Sequence, residues 1–218
     1  MAIQHVYFIS GLGANSDVFS RLDLHESCNI HYLEWLDPEE GEDFIAYCTR
    51  MASRIENSSE ATLIGLSFGG VVAQTIASLI PLKRLIILSS VKTRKEMPLH
   101  LKSLKAIGIH QIVDYDLLLK MKPVAHMFFG TETPDDKAML EDQLSKSRAG
   151  LVKWSVNQLI NWKPRSPLID PIHIHGTNDR VFPHENIKAD FLVENGPHFM
   201  VYSHHREVSA ILNDIIVS

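Results

Sequence analysis

Apolar residues along this chain recur with two different periods, and the switching between them outlines a fold. Val6 to Ser10 predicts a strand, and Ile30 to Leu36 predicts a second, closed by Asp37-Pro38. Ala61-Thr62-Leu63-Ile64 is short and apolar with β-branched members, as a buried parallel strand requires. Leu85 to Leu88, Pro171 to His175 and Phe191 to Val193 predict three more. Between these runs the spacing becomes helical. A short helix is expected around Asn15 to Leu22. From Asp43 to Glu56 one face carries Phe44, Ile45, Cys48, Met51, Ala52 and Ile55. Val71, Val72, Ile76, Leu79 and Ile80 form another stripe up to Pro81, and Val208 to Val217 closes the chain as a helix. Such alternation predicts an α/β fold with a mostly parallel central sheet of about six strands and helices on both faces.

One interval breaks the rhythm. From Ser90 to Pro171 the chain runs for about eighty residues, far more than one crossover helix needs. The stretch is rich in Leu, Lys and Met, with Leu99, Leu101 and Leu104 at its start and Ile112, Leu117, Leu118 and Leu119 further on. Thr133-Pro134-Asp135-Asp136 offers an N-cap, a proline at the first helical position and acids in the first turn. The expectation is a single domain over residues 1–218 with a small helical cap insertion at 92–165, against the plainer reading of extra packing helices.

Length and charge narrow the class. A chain of 218 residues is one domain by size, with a full core. A net charge of −5 with no basic stripe argues against nucleic acid or an anionic membrane as partner. Lys92, Arg94 and Lys95, beside Glu96, form the densest basic group and read as solvated surface. The N-terminus reads as a strand rather than a signal peptide, and no run approaches the roughly 18 apolar residues of a membrane helix. Cys28 and Cys48 lack metal or redox spacing and read as free thiols of a cytoplasmic protein.

The chemistry centres on Gly65-Leu66-Ser67-Phe68-Gly69, at the switch from the third strand to the following helix. A Gly-x-Ser-x-Gly in that position is a nucleophile elbow, a turn so tight that the Ser is strained and its hydroxyl stands above the sheet. The two glycines remove side chains that would collide where strand and helix pass. A serine hydroxyl needs a base, and the base an orienting acid, in the chain order Ser, Asp or Glu, His. Asp179 follows the fifth strand and His198 the sixth, so both fall on the same sheet edge as Ser67. Asp170 and Asp190 precede strands and belong to the opposite edge. The plain alternatives are a capping role for Ser67 and a turn role for Asp179. His173 and His175 alternate along a strand, but without a third ligand they do not make a metal site.

These features resemble the α/β-hydrolase fold superfamily over nearly the whole chain. The resemblance implies a trimmed version of that fold, lacking the hairpin that often precedes the first strand. It assigns Ser67, Asp179 and His198 to a catalytic triad. Ser10-Gly11-Leu12-Gly13 resembles the family's His-Gly-x-Gly loop, with Ser10 replacing the His. The backbone N–H groups of Leu12 and Phe68 would then form an oxyanion hole. The activity implied is that of a serine hydrolase cleaving a small ester or related acyl compound, without metal or organic cofactor. A thioesterase, lactonase or carbon–carbon bond hydrolase uses the same triad, and a non-catalytic small-molecule receptor remains the alternative outside enzymes. Trp154, Trp162, Met121, Met127, Phe128 and Phe129 are candidates for an apolar pocket, with core packing as the competing role.

Overall fold

Six strands form one sheet: β1 (Gln4–Ile9), β2 (Cys28–Tyr32), β3 (Ala61–Leu66), β4 (Arg84–Leu88), β5 (Ile172–Gly176) and β6 (Phe191–Val193). Their order is β2-β1-β3-β4-β5-β6, and every neighbouring pair is parallel. The computed structural model describes residues 3–99, 101 and 114–217. Among these, α1 (Phe44–Ala52) and α2 (Phe68–Ala77) precede β4. Between β4 and β5 the described residues include α3 (Tyr115–Lys120), α4 (Lys122–Phe129), α5 (Pro134–Lys146) and α6 (Ala149–Asn161). After β6 come α7 (Met200–Ser203) and α8 (His205–Val217).

The pleat sorts each central strand into two cores, because successive side chains point to opposite faces. Val6 and Phe8 of β1 join Ile64 of β3 and Ile86 of β4 under Val208 and Leu212 of α8. Tyr7 and Ile9 join Leu63 and Leu85 on the other face, under α1 and α2. All six residues of β3 are buried, so this strand sits at the centre of both cores. Full burial of one such Leu, Ile or Phe is worth about 1.5–3 kcal/mol, and both faces must be covered to collect it.

Local chemistry sets the helix starts. The Asp43 side chain accepts from the Ala46 N–H and caps α1. Thr133 and Asp136 form a reciprocal capping box ahead of α5, with Pro134 at its first position. The segment after β1 tightens into a 3-10 turn at Ser16–Phe19, burying Val18 and Phe19, rather than a longer helix to Leu22.

Two expectations need correction. The second strand starts two residues and ends four residues earlier than Ile30–Leu36 suggests. Leu33 still donates to the Phe8 carbonyl, at 2.9 Å, but the chain then leaves the sheet and Trp35 turns toward the loop after β1. The basic group at 92–95 is not simply solvated surface. Glu96 is buried and its carboxylate accepts from the backbone N–H groups of Lys92 and Thr93, while Arg94 donates to the Ile160 carbonyl at the end of α6. Of the expected helical run, Leu104 and Ile112 lie outside the described residues, and Leu117 and Leu118 of α3 are exposed. Cys28 and Cys48 are free thiols. Among the described residues no helix is long and apolar enough to cross a membrane.

Burial also charges one core residue with an acid-sensitive role. His173 of β5 is fully buried, and desolvation, reinforced by the neighbouring His175, lowers its pKa from 6.5 to about 3. The unfolded chain therefore takes up a proton below pH 6.5 that the folded chain refuses until about pH 3. Stability from this residue is complete above pH 6.5 and is lost as the pH falls across that window. Chemical denaturation of His173→Leu should show a shallower decline than wild type between pH 6.5 and about 5, above the carboxylate range. Equal slopes in the two proteins would assign the acid sensitivity elsewhere.

Candidate active site

The β3–α2 turn puts Ser67 at φ 52°, ψ −117°, a conformation that L-residues rarely adopt. Such a residue costs of order 1–3 kcal/mol and persists only where its surroundings over-determine it. Here they do. The Ser67 N–H donates to the Leu88 carbonyl at 2.8 Å, while its own carbonyl accepts from Ser90 Oγ at 2.7 Å and Gly70 N–H at 3.0 Å. The flanking glycines are obligatory. A methyl on Gly65 would lie 2.3 Å from the Gly69 carbonyl oxygen, and one on Gly69 would lie 2.3 Å from the Ser10 carbonyl oxygen.

His198 and Asp179 arrive from the carboxyl ends of β6 and β5. The Ser67 hydroxyl lies 3.0 Å from His198 Nε2, and His198 Nδ1 lies 2.8 Å from Asp179 Oδ2. The other Asp179 oxygen accepts from the backbone N–H groups of Val181 and Phe182, both at 2.8 Å. With the carboxylate an acceptor only, Nδ1 carries the imidazole proton and Nε2 is left to accept from the serine hydroxyl. Phe129 and Phe182 present ring edges or faces to His198 at centroid distances of 5.3 and 5.6 Å. The three residues singled out by chain order thus meet in one hydrogen-bonded line.

The loops carrying the acid and the imidazole are packed backbone to backbone. Thr177 N–H donates to the Val193 carbonyl and Asn178 N–H to the Gly196 carbonyl, each at 3.0 Å. His175 Nε2 donates to the Phe182 carbonyl at 2.8 Å, bracing the turn that holds Asp179; burial keeps its pKa below the ordinary value. Asp190 is elsewhere, accepting from His173 N–H and pairing with Lys92.

Ser67 and His198 line a cavity of about 230 Å³ whose other walls are mostly apolar, with Phe129 of α4, Leu140 and Leu144 of α5 and Leu159 of α6 among them. Among the described residues no Asp, Glu, Lys or Arg lines it. Of the six expected pocket residues only Phe129 does. Trp154 packs on Tyr47 at 4.4 Å and Trp162 is buried in the core, whereas Met121, Met127 and Phe128 are exposed. The apolar wall comes instead from aliphatic side chains of α5 and α6. Among the described residues no group of three or more His, Cys, Asp or Glu is placed to hold a metal.

Leu12 and Phe68 both line this cavity. A methyl on Gly11 would rest 3.6 Å from Ser67 Cβ, so the loop after β1 lies directly against the serine. That loop is braced without an imidazole. Ser10 Oγ donates to the Ala14 carbonyl at 2.6 Å, and Trp35 Nε1 donates to the Gly11 carbonyl at 3.1 Å. Trp35, Ser90 and His175 had no assigned role in the sequence. The available signal was position, since each falls at or just beyond a strand's carboxyl end.

No family model and no curated relative matches the sequence. Solved structures do match. An esterase from Exiguobacterium antarcticum is 20% identical, with TM-score 0.71 over 100% of this chain and 93% of its own. Polyneuridine aldehyde esterase is 16% identical, with TM-score 0.66 over 98% of this chain and 99% of its own. The RedJ thioesterase of the prodiginine pathway in Streptomyces coelicolor is 16% identical, with TM-score 0.63 over 96% of this chain and 84% of its own. This likeness, with the all-parallel six-stranded sheet, gives the chain the α/β-hydrolase fold.

The packing of the two loops yields a direct test. A methyl on Gly176 would sit 2.1 Å from the Gly196 carbonyl oxygen, so one backbone must move. Gly176→Ala should lose about 3 kcal/mol in urea denaturation, the upper end of ordinary overpacking costs. An unfolding curve superimposable on wild type would mean that the acid and imidazole loops are not in contact.

Proposed function

We propose that this α/β-hydrolase-fold protein is a serine hydrolase acting on a small, uncharged acyl ester. The observation that carries the reading is the two-bond relay from Ser67 through His198 to Asp179, 3.0 and 2.8 Å long, on the wall of an apolar cavity. Ser67 Oγ attacks the ester carbonyl carbon while His198 Nε2 takes its proton. Asp179 holds the imidazole in the working tautomer and stabilises its cation. The carbonyl oxygen becomes an oxyanion, which the N–H groups of Leu12 and Phe68 receive. Collapse expels the alkoxide, which leaves as the alcohol after taking the proton from His198. Water then attacks the acyl-Ser67, with His198 again as base, and releases the acid.

The cavity supports the substrate class. At about 230 Å³ it lies below the roughly 300–1,000 Å³ of pockets for drug-sized ligands, which favours a small acyl group. Among the described residues the lining has no ionic side chain to neutralise a charged acyl chain, and burying an unpaired charge is expensive. Helices α3 to α6 act as the cap of this site, and the partner is a small molecule of a cytoplasmic enzyme. A thioester differs from an ester only in the leaving atom and belongs in the same assay.

On p-nitrophenyl esters of increasing acyl length, with a thioester control, turnover should be highest for short and medium uncharged chains and fall for long ones. Ser67→Ala should remove nearly all turnover and Asp179→Asn should cut kcat by on the order of 10⁴. A Ser67→Ala protein with wild-type turnover would end this assignment.

A further inference from the structure

The peptide unit joining Gly11 to Leu12 contains both the Gly11 carbonyl and the Leu12 N–H. A trans peptide is planar, so its C=O and N–H point in opposite directions and turn together. Whatever grips the Gly11 oxygen therefore also aims the Leu12 N–H. Two groups grip it: the indole N–H of Trp35 at 3.1 Å and the backbone N–H of Ala14 at 3.1 Å. Only the first is a side chain.

Trp35 touches the second candidate donor residue as well. Its ring stacks on Phe68, with centroids 5.6 Å apart and planes 19° from parallel. It reaches both because the chain leaves the sheet after β2, two residues past the last hydrogen bond to β1, at the edge where Ser67 stands. The rest of the loop is held independently. Asn15 N–H donates to Gln143 Oε1 and Gln143 Nε2 donates back to Asn15 Oδ1, both at 2.8 Å, and Ser147 Oγ donates to the Gly13 carbonyl at 2.6 Å. The loop's position is thus secured from α5 and its C-terminal cap, while the tilt of the Gly11–Leu12 peptide is held by the Ala14 N–H and, as the one side chain, by Trp35.

We infer that Trp35 is a positioning residue for the oxyanion hole: its indole N–H orients the Leu12 N–H and its ring steadies Phe68. This rests on the catalytic reading of Ser67. An N–H that is free to tilt must be re-aimed as charge develops on the oxygen, and a fixed one needs no such reorganisation. The effect falls on the transition state and not on substrate binding.

The test compares wild type, Ser67→Ala and Trp35→Phe on one short-chain p-nitrophenyl ester. It also measures inhibition by an alkyl trifluoromethyl ketone, whose adduct with Ser67 places an oxyanion in the hole. Phenylalanine keeps a ring against Phe68 and removes only the indole N–H and one ring. Trp35→Phe should lower kcat roughly tenfold, less than the hundredfold or more of losing a donor outright. It should weaken the ketone by a similar factor and leave KM and the pH profile as in wild type. Unchanged kcat and ketone affinity would overturn the inference, and so would a change in KM alone. Should Trp35→Phe fail to fold, benzothienylalanine at position 35 keeps the bicyclic shape, lacks the N–H and is judged by the same criteria. Residual turnover at the wild-type level in Ser67→Ala would instead bring down the catalytic reading, and the role of Trp35 with it.

Discussion

The reversal of the chain at Ser67 is the constraint on which the site depends. β3 enters from the centre of both cores and α2 leaves across the sheet face, with one residue to turn between them. A positive φ at that residue is unfavourable in isolation. It is maintained because the Leu88 carbonyl, Ser90 hydroxyl and Gly70 N–H all hold its backbone. The glycines at 65 and 69 are the steric condition for this, since any side chain there would run into main-chain atoms. Burial of β3 thus supplies the stability that a strained, outward-facing hydroxyl consumes.

From that fixed hydroxyl the rest of the site is a matter of bringing loops to one edge. Parallel strands all end on the same side, so the turns after β1, β2, β3, β5 and β6 share a neighbourhood. Gly176 and Gly196 let two of these turns touch through their backbones, and that contact sets the separation of Asp179 from His198. The acid is anchored twice more by the N–H groups of Val181 and Phe182. Its orientation is therefore a property of its own turn, and the imidazole is aligned to it.

The helices between β4 and β5 contribute in a different way. Helices α4, α5 and α6 supply apolar wall rather than reacting groups, and Gln143 of α5 and Ser147 just beyond it also grip the loop after β1. Exposed ion pairs, Lys146 with Asp17 and Arg21 with Asp135, span the same junction. Pairs of this kind are worth at most about 1 kcal/mol each, so the half-buried amide bridge is at least their equal in the contact. Cavity wall and candidate oxyanion loop consequently form one mechanical unit.

Hydrophobic periodicity alone sufficed for the alternation of strands and helices, since an apolar run between turn residues has few other uses in a parallel sheet. Chain order and strand ends were enough to select Ser67, Asp179 and His198 from a chain with twelve histidines. Both signals are local, which is why they survive in one dimension. The end of β2, the buried role of Glu96 and the walls of the cavity were decided elsewhere. Each depends on what a residue meets across the fold: Trp35 leaves an apparently strand-like run because the Gly11 carbonyl and the Phe68 ring offer it better partners. Apart from Phe129, the aromatic residues expected in the pocket went to the core or the surface, because side-chain type records hydrophobicity but not direction. Only packing in three dimensions chooses the face.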